Sequence, residues 1–262
     1  MIIKCIQTLL GGIGLEIRKI GDDSFYGYDL EGEAEEFIGK VRPYTMLSKK
    51  RLISLYQQVV FCEQYGIPGC FIECGVWKGG AVALMALANL KYSPTPRVIH
   101  LFDAFQEICE PDASIDGERA VSEVKKWANG GSSGKLESIQ GVYNSFGGPG
   151  SLDENRELLE TIVGYDPKFL QYHKGWFQET LPHDAGSIGD IAILRLDGDW
   201  YASTKICLEY LYDKVVPGGF VIIDDYGTYE GCRKAVDEFL REKRISVYLN
   251  HIDGEAKYWI KN

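Results

Sequence analysis

The stretch ILRLDGDW, Ile193 to Trp200, carries a short strand-like run straight into Asp197 and Asp199, and GGFVIIDDYG, Gly218 to Gly227, ends the same way in Asp224 and Asp225. Between them ASTKICLEYLYDKVVPGG has helical spacing, with Leu208, Leu211 and Tyr212 on it, and closes on Pro217 and Gly218. A strand, a helix and a second strand in that order predict two parallel strands joined by a crossover. Ligands of open parallel sheets bind beyond the carboxyl ends of the strands. Two runs that both end there in paired carboxylates therefore point to a site.

The same alternation extends toward the N-terminus. CFIECGVW (Cys70 to Trp77) is a β-rich run with a glycine turn after it, and GGAVALMALANLKY reads as the helix that follows. RVIHLFDAF (Arg97 to Phe105) and KFLQYHKGWF (Lys168 to Phe177) supply two more strands, and EGCRKAVDEFLREKRI another helix. A helix starting at Ser48 places Leu52, Leu55, Tyr56, Val59 and Val60 on one face and stops at Gly66. The expected fold is α/β: a doubly wound, mostly parallel sheet covered on both faces. Residues 48–262 form its domain and residues 1–47 an N-terminal extension. An insertion at about 109–150 contains the turn-prone WANGGSSGK and SFGGPGS and reads as a lid-like loop.

Composition narrows the partners. A chain of 262 residues with 45% hydrophobic and 25% charged residues is long enough to bury a core without disulfides. A net charge of −10 disfavours nucleic acid and anionic membrane surfaces, which would repel it, and suits a neutral or cationic small molecule. Seven cysteines without a C-x-x-C pair fit free thiols in a reducing cytoplasm, the expected location. The N-terminal MIIKCIQTLLGGIGLEIRKI is broken by Glu16, Arg18 and Lys19, too charged to span a bilayer, and reads as an amphipathic helix available for a dimer contact. The expected assembly is a homo-oligomer, a dimer or higher.

Residues that fall just past the strands are Glu73 to Gly75, Asp103, Gly175 to Phe177, Asp197 and the Asp224–Asp225 pair. ECGVWKGG does not fit the dinucleotide pattern G-x-G-x-x-G, because its glycines stand at 75, 79 and 80. What remains is a tight turn that lets backbone approach a ligand. Asp103 stands where a carboxylate can accept ribose hydroxyls, the alternative being a cap on the following backbone.

In sequence and in order, FIECGVWKGG, LFDAF, GWFQETLP, LRLDGDWYAST and VVPGGFVIIDDYG resemble the macrocin O-methyltransferase family over about Val41 to Ile245, and more distantly the catechol O-methyltransferase type. The resemblance implies a class I methyltransferase fold, S-adenosylmethionine and Mg²⁺ as cofactors, and a sugar hydroxyl of a secondary metabolite or glycan as acceptor. It implies that Glu73, Gly75 and Val76 line the methionine end of the cofactor, that Asp103 holds its ribose, and that Gly175, Trp176 and Phe177 lie near its adenine. Thr45 and Met46, in RPYTMLS, would fold over it. Asp197, Asp224 and Asp225 would present hard oxygen ligands to Mg²⁺ from adjacent strand ends, a cluster whose mutual repulsion itself calls for a cation. Asp197 and Asp199 are the catalytic candidates. Asp197 would ligate the metal and help accept the proton; Asp199 would orient the acceptor or bond to backbone. The histidine base of some family members has no counterpart between His100 and His173, and His173 reads as a core residue. An NAD-dependent oxidoreductase and a non-catalytic ligand-binding protein on the same fold are the alternatives.

Overall fold

A computed structural model describes residues 29–128 and 130–262. The amphipathic helix and dimer contact expected of residues 1–20 lie outside them. Helices α1 (Asp29–Val41) and α2 (Lys49–Gln64) precede strand β1 (Cys70–Cys74), helix α3 (Gly80–Tyr92) and strand β2 (Ile99–Asp103). Helix α4 (Gly117–Ala128) and the short α5 (Leu152–Arg156), prolonged by a π turn over Glu157–Ile162, lead to β3 (Leu170–Lys174). Then come α6 (Phe177–Asp184), β4 (Ile191–Leu196), α7 (Tyr201–Leu211), β5 (Val215–Ile223), α8 (Glu230–Glu242) and a hairpin of β6 (Asn250–His251) and β7 (Lys257–Ile260).

These strands form one sheet in the order β3-β2-β1-β4-β5-β7-β6, with β1 to β5 parallel and β7 antiparallel between β5 and β6. The doubly wound expectation holds. Every residue of β1 and β4 is buried, as strands covered by helices on both faces must be. The chain reverses its direction of winding between β1 and β4, so the crevice at their carboxyl ends is the topological switch point. Ser48 caps α2 as the sequence suggests, its hydroxyl accepting from the Arg51 N–H at 3.2 Å.

Two boundaries differ from expectation. Strand β5 begins at Val215, so Pro217 and Gly218 lie inside it and not at a helix end. The ladder skips there, pairing Ile191 with Val215 and Ile193 with Phe220, which spares the proline a hydrogen bond that it cannot donate. Gly218, at φ +84°, turns its N–H to the Lys261 carbonyl at 2.7 Å. The hairpin β6–β7 falls beyond the stretch in which strands were expected, yet Trp259 pairs with Val221 and is 1% exposed. No described helix is long and apolar enough to cross a membrane.

Candidate active site

The turn after β1 brings the site together. Gly75 sits at φ +89°, where a Cβ would lie 1.8 Å from the Asp197 carbonyl oxygen, so only glycine allows the β1 and β4 ends to close on each other. The Asp197 N–H donates to Cys74 O at 2.8 Å and the Gly75 N–H to Phe102 O at 2.9 Å. Asp103, at the end of β2, accepts from the N–H groups of Val76 (2.6 Å), Trp77 (3.2 Å) and Phe105 (2.6 Å). Burial pushes its carboxyl upward against those bonds. Three of its roughly four acceptor positions are taken by the turn, so the capping alternative is observed and about one position is left over.

A cavity of ≈ 230 Å³ opens over these strand ends. Of the residues expected at the cofactor, Met46, Gly75, Asp103, Gly175, Trp176 and Phe177 line it. Phe177 also packs beside Gly198, where a Cβ would lie 2.9 Å from its ring. Val76 contributes its N–H to Asp103 and is 5% exposed. Thr45 stands against the first turn of α3, its Cβ 2.7 Å from where a Gly80 side chain would begin, and its hydroxyl accepts from the Leu47 N–H.

Glu73 departs from expectation. Its carboxylate is buried and turned to Arg195, its register partner on β4, not to the cavity. Arg195 is itself 2% exposed and also binds Asp197 at 2.9 Å and Asp224 at 2.6 Å. Arg51 on α2 clasps Asp224 as well, together with Asp253 at 2.9 Å and Glu255 of the β6–β7 turn. Asp224, expected among the metal ligands, is therefore held by two guanidinium groups beneath the site.

Asp199 stands with two of the expected ligands. Asp197, Asp199 and Asp225 each offer a carboxylate oxygen, and these lie within 4.8 Å of one another. Asp199 reaches this position with φ +57°, a conformation that aspartate tolerates better than most side chains. Burial, then the neighbouring Asp197, pushes its carboxyl up to about 8, and burial with Asp199 does the same in direction for Asp225. Asp225 is 7% exposed, and its Oδ2 has no protein partner. Five carboxyls, at 73, 197, 199, 224 and 225, thus face two arginines. An excess of hard oxygen donors with an orphaned buried oxygen fits a divalent cation.

The outer wall of the cavity comes from the insertion. Glu107, 6% exposed, accepts from the N–H groups of Gly141 and Tyr143 at 3.0 Å each and so ties the two ends of the segment together. The Trp200 indole donates to Cys109 O at 3.0 Å, and Asp116 accepts from the Tyr201 N–H at 2.7 Å, anchoring it to the start of α7. Trp127, Tyr143 and Phe146 line the cavity, with Glu123 bound to the Tyr229 hydroxyl at 2.7 Å. No motif in the sequence marks these residues, nor Arg51 and Arg195. The one available signal was a lone arginine inside the apolar run ILRLD. His173 is half-buried on the edge strand β3, stacked on Phe102 at 3.9 Å and bonded to Asp184 at 2.7 Å, and does not line the cavity.

Sheet order, switch-point crevice and cavity are those of the class I, S-adenosylmethionine-binding methyltransferases. The solved structure of the O-methyltransferase NovP superposes with a TM-score of 0.67 at 32% identity, covering 84% of this chain and 82% of that one. That of the calicheamicin methyltransferase CalS11 shares the fold with a TM-score of 0.54 at 18% identity, covering 91% and 99%. The model of the macrocin O-methyltransferase family matches residues 33–261, further at both ends than the motifs had suggested. The chain belongs to that family and is an S-adenosylmethionine-dependent O-methyltransferase, which sets aside the oxidoreductase and non-catalytic alternatives. Among its relatives, the 8-demethyl-8-(2,3-dimethoxy-alpha-L-rhamnosyl)-tetracenomycin-C 4'-O-methyltransferase of Streptomyces olivaceus is 34% identical, covering 88% of this chain and 82% of the relative. The mycinamicin III 3''-O-methyltransferase of Micromonospora griseorubida is 33% identical, covering 82% and 78%.

Proposed function

We propose that this enzyme methylates a hydroxyl on the sugar of a glycosylated natural product, with a divalent cation such as Mg²⁺ held by Asp197, Asp199 and Asp225. The observation that carries the metal reading is the convergence of those three carboxylates at the cavity with Asp225 Oδ2 left without a protein partner. The acceptor class rests on the relatives, one of whose names prints a rhamnosyl-bearing tetracenomycin C as the acceptor.

When bound, S-adenosylmethionine supplies the methyl group and the cation lowers the pKa of the acceptor hydroxyl. The chain's own part is to position and to move a proton. Gly75 admits the cofactor to the strand ends, Asp103 offers its remaining acceptor site to the ribose, and Gly175, Trp176 and Phe177 supply a surface for the adenine. Met46 closes over it from the loop that Thr45 fixes against α3. Glu73 acts from behind, holding Arg195. Asp199 lines the cavity, where a carboxylate can act as general base. It accepts the hydroxyl proton as the oxygen takes the methyl group, and Asp197 keeps the attacking oxygen in place beside it.

Calorimetric titration of the protein with MgCl₂, in wild type and in Asp225→Asn, tests the cation site. The expected result is a saturable 1:1 binding event that the variant weakens at least tenfold, together with loss of turnover on chelation. Full methyl transfer in the presence of EDTA would overturn the metal assignment.

A further inference from the structure

The first turn of α2 carries Lys49, Lys50 and Arg51 and no acidic residue. Cations there face the positive end of the helix dipole, which favours carboxylates instead. What keeps Arg51 in place lies outside the helix: Asp253 and Glu255 of the β6–β7 turn, and Asp224 at the end of β5. Asp253 is the fixed member. It accepts from the N–H groups of Glu255 and Ala256 at 2.9 Å each, from the Ser48 hydroxyl at 2.7 Å and from Arg51 Nε at 2.9 Å. The guanidinium, 11% exposed, is thus aimed before it reaches Asp224.

Asp224 is the carboxylate that the two arginines share. Its Oδ2 meets Arg51 and its Oδ1 meets Arg195 at 2.6 Å, so both of its oxygens are turned to guanidinium groups. The two arginines are not equivalent. Arg195 is built into the sheet and bridges β1, β4 and β5 through Glu73, Asp197 and Asp224. Arg51 reaches the carboxyl cluster from a helix, binds it through Asp224, and does not line the cavity. Its charge opposes that of a divalent cation while it neutralises the neighbour of Asp225 in the chain. Mg²⁺ is ordinarily bound through one or two carboxylates and keeps positions for water and substrate oxygens. Each further carboxylate that it faces takes up charge that would otherwise act on the acceptor hydroxyl.

We propose that Arg51 is a positioning residue of the cation site, an inference that rests on the metal reading above: it holds Asp224 as a resident counter-charge, so that the cation is bound loosely enough to keep its charge for the acceptor hydroxyl. The sign of the Coulomb interaction separates this role from a structural one. A guanidinium that only braced the fold would, once removed, loosen the carboxyls and weaken the cation. One that opposes the cation through Asp224 lets it bind more tightly once removed.

The test is calorimetric titration with MgCl₂ of full-length wild type, Arg51→Gln, Arg51→Lys and Arg119→Gln, each also titrated with S-adenosylhomocysteine, whose unchanged affinity reports a folded variant. Arg51→Gln should tighten Mg²⁺ binding about fivefold or more, and Arg51→Lys, which keeps the charge, should stay within about twofold of wild type. Arg119 is a cation of the same network, 3.5 Å from Glu255, and Arg119→Gln should also stay within about twofold. Mg²⁺ affinity unchanged or weakened in a folded Arg51→Gln, or tightened equally in Arg51→Lys or Arg119→Gln, overturns the proposal. Should Arg51→Gln lose S-adenosylhomocysteine binding, Glu255→Gln decides. At a side chain 42% exposed, it takes one competing carboxylate from Arg51 and should weaken Mg²⁺ about twofold or more, and no change there overturns the proposal. Absence of Mg²⁺ binding to wild type overturns the metal reading and this proposal with it, whereas binding that Arg51→Gln leaves unaltered strikes the proposal alone.

Discussion

Asp199 differs from its three neighbouring aspartates in what opposes it. Asp224 is neutralised by Arg51 and Arg195, Asp197 shares Arg195, and Asp225 is buried, whereas Asp199 lines the cavity and has no arginine on it. Asp199→Asn keeps the shape and removes both a negative ligand and the proton acceptor. Turnover is expected to fall by about 10²-fold or more while S-adenosylhomocysteine affinity stays within error, since general-base catalysis is worth roughly 10²–10⁴-fold. Steady-state rates and a cofactor titration on the same preparation check this. All four aspartates were visible in the sequence as endings of strands, but which three converge was not. That depends on Arg195 reaching Glu73 and Asp224 across the sheet, and on Arg51 arriving from a helix more than a hundred residues away in the chain. Long-range pairing of this kind leaves no local spacing to read.

Among the elements, the β1–α3 turn carries the tightest constraint. Gly75→Ala would place a Cβ 1.8 Å from the Asp197 carbonyl in a left-handed backbone conformation. The β1–β4 closure must open to accept it, and a loss of stability above about 2 kcal/mol is expected, since strain at a special backbone position and disruption of packing act together. Urea unfolding of the variant measures it. The strands that were legible, β1 to β5, alternate with helices of ordinary length and end in polar residues. The β6–β7 hairpin was not, because β6 is two residues long and its partner, KYWI, has no repeated alternation around it. Helix α4 is only partly legible: Ala120 and Val124 are its only buried apolar positions, and the turn-prone WANGGSSGK runs on from its end.

For the molecule as a whole, the carboxyl cluster couples stability to pH and to divalent cations. Burial pushes the Asp199 carboxyl from the ordinary 3.8 up to about 8 and the Asp225 carboxyl upward beside it, so without a cation the folded state holds more protons than the unfolded one across that range. Stability from these groups is therefore present at low pH and declines as pH rises from about 4 toward about 8. A cation that replaces the protons should remove that decline. MgCl₂ is expected to raise the melting temperature more at pH 8 than at pH 6, with about 2.7 kcal/mol gained at a hundredfold excess over Kd. Equal shifts at the two pH values, followed by thermal denaturation, would show that the cluster and the ion are not linked. At this scale the sequence points to the sheet's carboxyl rim as the site and to the insertion as a lid-like loop, without the contacts that hold it. Because Glu107 clasps Gly141 and Tyr143 while Cys109 and Asp116 moor the same segment to the start of α7, the insertion is held at few points, and grafting it between relatives is expected to redirect which scaffold is decorated while cofactor affinity stays unchanged.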